Sequence, residues 1–180
     1  MFKKLIVLLL SIGIMLIPSV AIASTHAKSL QNLGMNEVMF AQMMIPHHDQ
    51  AVSMSETALK KSRNQGILKL SRQIKSLQSS EKSQLTYWLK ATGSSMTMDH
   101  DMSMSGMLTV KELASLKRLT GTQFDRTFLQ LMIKHHQGAL EMLDLISDSK
   151  NAEAKALAKA IKSAQSTDIT SMKLLLNKLK

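Results

Sequence analysis

Met44-Ile45-Pro46-His47-His48-Asp49-Gln50-Ala51-Val52-Ser53-Met54 and Met132-Ile133-Lys134-His135-His136-Gln137-Gly138-Ala139-Leu140-Glu141-Met142 are two copies of one pattern. They keep a constant offset of 88 residues, and each sets a His-His pair three residues after one Met and six before another. Apolar residues recur in steps of three and four on either side, the spacing of an amphipathic helix. A second repeat follows each copy. Leu70-Ser71-Arg72-Gln73-Ile74 with Gln78 and Glu81 corresponds to Leu157-Ala158-Lys159-Ala160-Ile161 with Gln165 and Asp168, here at an offset of 87. The chain therefore holds two similar αα-hairpins, and two such hairpins pack as an all-α four-helix bundle.

Capping signals predict the element boundaries. Asn36 caps a helix running to about Ser62, with a break near 64–66. A second helix starts near Ile67 and ends before Gly93. Residues 93–107 form a Ser/Gly/Met-rich loop without periodicity. Thr109 with Glu112 forms a capping box for a short helix up to about Leu119. Thr122 opens a long helix through Ile146, and the last helix covers about 151–179. The Met-rich loop and the short helix thus join the hairpins. The bundle is assigned to 36–180, after an N-terminal extension at 24–35.

Met1 to Ala23 has the form of a secretory signal: Lys3 and Lys4, an apolar run from Leu5 to Ile17, and Ala21-Ile22-Ala23 before the cleavage point. Its removal leaves 157 of 180 residues, enough for one domain with a real core, and 13 of the 15 Met. The expected location is periplasmic or secreted, with no membrane association after cleavage. Absence of Cys excludes disulfides and thiolate metal sites, so any soft ligand must be Met. The net charge of +10 falls to +8 with the loss of the two lysines. The basic residues are scattered along helical outer faces, and aromatics are 3% of the chain, so nucleic acid is not an expected partner.

Hairpin geometry places His47 opposite residue 80 or so, between Gln78 and Glu81, and His135 opposite residue 165 or so, beside Gln165 and Asp168. Each His pair then faces a Gln-x-x-acid pair that continues an apolar stripe, and a carboxylate in a core needs a partner. Adjacent helical residues point about 100° apart. His47 and His135 follow the inner stripe, and His48 and His136 fall on its flank, with Met44 and Met132 four residues ahead. Pro46 cannot donate a helical hydrogen bond, which predicts a kink beside His47. Thioether and imidazole donors on repeated faces point to copper. A second group of donors lies in the loop, at Met96, Met98, His100, Met102, Met104 and Met107. These Met have no helical stripe and are not expected in the core. Thioethers suit Cu(I), and His100 with Asp99 or Asp101 suits Cu(II).

The doubled MI-x-HH-x-x-A-x-x-M motif, the Gln-x-x-acid pairs and Phe124-Asp125-x-x-Phe128 resemble the domain of unknown function 305 family over roughly 36–178. The resemblance implies a ferritin-like bundle, usually exported, in a family that includes CopM-type periplasmic copper-binding proteins linked to copper resistance. It points to Met44, His47, His48, Met132, His135 and His136 as ligands. Lys134 and Gly138 depart from the first copy, which has Pro46 and Gln50.

The leading expectation is an exported, non-enzymatic protein that sequesters or shuttles copper, with other periplasmic copper-handling proteins as partners. A ferritin-like di-iron oxidase needs Glu-x-x-His pairs, and no acid stands three residues before any of the four His. A haem-binding bundle with Met/His axial ligands would have to hold haem without C-x-x-C-H. A purely structural exported bundle is the remaining alternative. The oligomeric state is not legible in the sequence.

Overall fold

The computed structural model describes residues 32–98 and 104–179. The signal segment, residues 24–31 of the extension, His100 and Met102 lie outside them. Five α-helices form: α1 (Met35–Lys61), α2 (Gln65–Thr92), α3 (Val110–Arg118), α4 (Gly121–Met142) and α5 (Ala152–Lys178). No strand occurs among the described residues.

Local chemistry explains most boundaries. Asn64 and Asn151 each accept two backbone N–H groups at the starts of α2 and α5. Gly93 ends α2 at φ 68°, a left-handed conformation that glycine adopts without steric cost. The Thr109–Glu112 capping box is present at α3. Three boundaries differ from expectation. The cap of α1 is Gly34, not Asn36, because the Glu37 carboxylate reaches back to the Gly34 N–H at 2.8 Å. The cap of α4 is Thr120, so the helix opens at Gly121 and not at Thr122. Helix α4 also stops at Met142, and the chain tightens into a 3₁₀ turn over Leu143–Ile146. Helix α1 runs without interruption through Pro46.

The long helices form a ring in which α1 neighbours α2 and α4, and α5 neighbours α4 and α2. All neighbours are antiparallel. Glu37 at the start of α1 meets Ser149 beyond α4, and Lys61 at its end meets Leu119 just before α4. The backbone at Gly66, early in α2, lies against Leu175, late in α5. Helices α2 and α4 therefore run in the same direction, and the segment 93–120 must travel the length of the bundle between them. One long crossover is the connectivity of ferritin-like bundles.

The core is two apolar clusters stacked along the bundle axis. One contains Phe40, Met44, Leu85, Trp88, Met142 and Ile161. The other contains Met54, Ile74, Phe124, Phe128, Met132 and Met172. On every long helix the residues between the clusters are polar: His47 and His48, Gln78 and Glu81, His135 and His136, Gln165 and Asp168. A buried polar layer cuts the hydrophobic core at mid-height.

Candidate metal centre

All four histidines are fully buried. Helices α1 and α4 bring His47 and His135 ring to ring, with centroids 3.7 Å apart and planes tilted by 34°. His48 Nε2 lies 2.9 Å from Glu81 on α2, and His136 Nε2 lies 3.5 Å from Asp168 on α5. These are ion-pair distances without the alignment of a hydrogen bond. Gln73 donates to the other oxygen of Asp168 at 2.9 Å. Gln78 and Gln165 are buried at the same level.

Two expectations need correction. The flank assignment of His48 and His136 fails, because α2 and α5 close over that flank. The carboxylates consequently meet His48 and His136, while His47 and His135 meet each other. The loop methionines also differ from a free segment. Met98 and Met104 pack on the core cluster that contains Phe40 and Trp88, and Met107 is half-buried. Met96, 42% exposed, stands in solvent. Met44 and Met132 are wholly buried, one in each apolar cluster, so they flank the polar layer from above and below.

Burial controls the charge of the central pair. Desolvation first, and then repulsion from His48, lowers the His47 pKa to about 3. Desolvation, followed by repulsion from His47, His136 and His48, holds His135 well below 6.5. Both rings are thus neutral at pH 7, the state in which imidazole binds metal. The donor chemistry, neutral imidazole with thioether nearby and no thiolate, matches copper better than a hard cation. Among the described residues, no three His, Asp or Glu side chains converge as a complete metal cage. A metal in this layer would need thioether ligands or rearranged rings.

The crossover covers this layer, a feature the periodicity did not indicate. It runs along the seam between α1 and α4. Gln42 donates to the carbonyls of Ser95 and Thr97 at 2.9 and 3.2 Å. His47 Nε2 lies 3.2 Å from the Ser105 carbonyl. Gln50 grips Leu108 from both sides, accepting from its N–H at 2.8 Å and donating to its carbonyl at 3.0 Å. Lys134 pairs with Glu112 at 2.8 Å. At Gly138 a Cβ would fall 2.2 Å from the Ser105 oxygen, so only glycine admits the crossover chain there. The departures from the repeat were the available signal, since Lys134, Gln50 and Gly138 each serve the crossover.

The family model described as Domain of unknown function (DUF305) matches residues 37–176. Comparison with curated proteins finds no match. Among solved structures, a DUF305 fragment from Deinococcus radiodurans is 32% identical, with a TM-score of 0.74, covering 81% of this chain and 98% of that one. A DUF305 protein from Streptomyces coelicolor, provisionally described as secreted, is 27% identical, with a TM-score of 0.76 and coverages of 79% and 93%. CopM in its Cu(I)-bound form is 29% identical, with a TM-score of 0.67 and coverages of 79% and 96%. CopM also matches in Cu(II)-bound and silver-bound forms. No helix of the described residues is long and apolar enough to cross a membrane.

Proposed function

The chain belongs to the DUF305 family, and from that premise we propose that it is an exported copper-binding protein that sequesters or shuttles Cu(I) and Cu(II). One observation carries the reading: a buried layer of four histidines, two held neutral, bracketed by Met44 and Met132. Buried polar groups in a bundle core are costly unless partnered. The Nδ1 atoms of His47, His48 and His136 have no hydrogen-bond partner, so a soft or borderline cation would supply what the protein does not. Similarity to CopM, solved with Cu(I), Cu(II) and silver bound, supports copper as the cargo. Met96, Met98, Met104 and Met107 stand along the crossover as a second set of candidate donors; His100 and Met102, read with them in the sequence, lie outside the described residues. The protein acts by binding and release, not by turnover, outside the cytoplasm and in exchange with other copper-handling proteins.

Metal analysis of protein purified from cells supplemented with copper, zinc or iron tests this. Copper should be retained from the copper-fed cells in preference to the other two metals. Iron or zinc in its place, or no bound metal from any culture, overturns the proposal.

A further inference from the structure

The Ser105 carbonyl touches a ring in the buried layer, and a carbonyl oxygen can only accept. Nε2 of His47 must therefore carry the hydrogen in the 3.2 Å contact. In a neutral imidazole the other nitrogen then holds the lone pair. That atom, Nδ1, is buried and has no hydrogen-bond partner. We infer that the crossover fixes His47 as its Nε2–H tautomer and so makes Nδ1 the atom through which this ring takes a metal. The metal half of the inference rests on the copper-binding reading above; the tautomer half stands without it.

Four features of the fold hold the carbonyl in place, the first being the Ser105 hydroxyl, which donates to the Glu141 carboxylate on α4. Gly106 adopts φ 77°, and a Cβ there would lie 2.8 Å from the His135 carbonyl oxygen. Gly138 leaves the space in which Ser105 and Gly106 sit, since a Cβ at 138 would fall 2.2–2.4 Å from their backbone atoms. Gln50 closes a two-bond clamp on Leu108, three residues beyond Ser105. Gly106, Gly138 and Gln50 are thus positioning residues that act on His47 through Ser105. Outer-shell acceptors of this kind orient a ligating imidazole and raise its basicity, and their loss typically costs about 10–100-fold in metal affinity. The device is one-sided. The contact falls on His47 of the first copy and relies on the glycine of the second, so two similar sequences yield inequivalent rings.

The test is ¹⁵N NMR of histidine-labelled mature protein, with His47 assigned by the signal lost in His47→Gln. Metal-free protein should show His47 in a single Nε2–H tautomer, and added Ag(I) should shift its Nδ1 resonance. Gly138→Ala, which pushes the crossover off α4, and Gln50→Ala, which opens the clamp, should give mixed His47 tautomers. Both should lower Ag(I) affinity at that ring by roughly 10–100-fold. If Gly138→Ala does not fold, Gln50→Ala decides alone. An Nδ1–H tautomer in the metal-free protein, or folded variants with unchanged tautomer and affinity, overturns the positioning inference. If saturating Ag(I) leaves every histidine resonance unmoved, the copper reading of the His pairs falls, and the metal half of the inference falls with it.

Discussion

The two copies of the His-His motif are alike where they face the core and unlike where they face the crossover. Both bury two imidazoles, both place a Met one turn before the pair, and both set one imidazole against a carboxylate of the neighbouring helix. On the outer side, Gln50 clamps Leu108 where Gly138 yields to Ser105, and Pro46 stands where Lys134 binds Glu112. Buried positions are constrained by packing and by the need to partner polar groups, which act on both hairpins. Outer positions are constrained by a single connection that passes both helices on one seam. A repeat of this kind stays symmetric in its core and loses symmetry along its connection.

The largest expected effect tests the common part. His47 has a folded pKa of about 3 against 6.5 in the ordinary state, and His135 is lowered in the same direction. The unfolded chain therefore binds protons that the folded chain refuses. Stability of metal-free protein is fully present above pH 6.5, falls as the pH drops through the interval between 6.5 and 3, and levels off below it. At about 1.4 kcal/mol per unit of separation, His47 alone accounts for up to roughly 4–5 kcal/mol. Urea unfolding at several pH values checks this. His47→Gln should flatten the dependence, and an unchanged slope in that variant would show that other groups cause the acid lability.

The next effect separates the copies. Ala at Gly138 must displace backbone atoms of Ser105 and Gly106, and overpacking of this type typically costs about 1–3 kcal/mol. Ala at the equivalent Gln50 removes two hydrogen bonds to Leu108, about 1 kcal/mol each. A shift of the melting temperature in both variants, with helical content retained by circular dichroism, is the expected result. A neutral Gly138→Ala would mean that the crossover is not seated on α4.

Within the core the carboxylates sharpen the comparison. Glu81 lies 2.9 Å from His48, whereas Asp168 lies 3.5 Å from His136 and has Gln73 as a further partner. Replacing Glu81 with Ala should destabilise by about 1–3 kcal/mol, because the buried His48 imidazole loses the carboxylate beside it. Asp168→Ala should cost less at His136 but also strand Gln73. Thermal unfolding of the two single variants and the double variant measures the difference. Costs in the reverse order would show that Asp168, with Gln73, is the stronger anchor.

The helical architecture was legible because its signals are local or periodic. Apolar spacing, the Thr109–Glu112 box and the glycine that ends α2 act within a few residues, and doubling of the motif announces two hairpins. The depth of the polar layer followed from antiparallel geometry alone. The burial of His48 and His136 was not legible, since helical spacing gives a direction but not which neighbour covers it. The ordering of Met98 and Met104 was not legible either. Their segment lacks periodicity, and its position comes from contacts spanning 55–58 residues, such as Gln42 with Thr97 and Gln50 with Leu108. Such contacts leave traces in sequence only as breaks in a repeat, and the breaks that serve the crossover include Pro46/Lys134, Gln50/Gly138 and Ser53/Glu141.

The smallest effect belongs to Lys134 and Glu112, the ion pair that the second copy has and the first lacks. A hydrogen bond from Lys134 first, and then bonds from the Thr109 backbone and hydroxyl, lower the Glu112 pKa from 4.5 to about 2. Its stabilisation is therefore complete above pH 4.5 and lost as the pH falls toward 2. Both side chains remain in contact with water, 52% exposed for Lys134 and 32% for Glu112, so screening limits the pair to less than about 1 kcal/mol. Its role is in register more than in energy: it joins the first turn of α3 to α4 one residue before His135. Lys134→Ala should leave the melting temperature nearly unchanged while raising hydrogen exchange of the crossover amides from 104 to 112. A large stability loss would contradict the screening argument. Unchanged exchange would show that Gln50 and Gly138 seat the crossover without help from the charge pair.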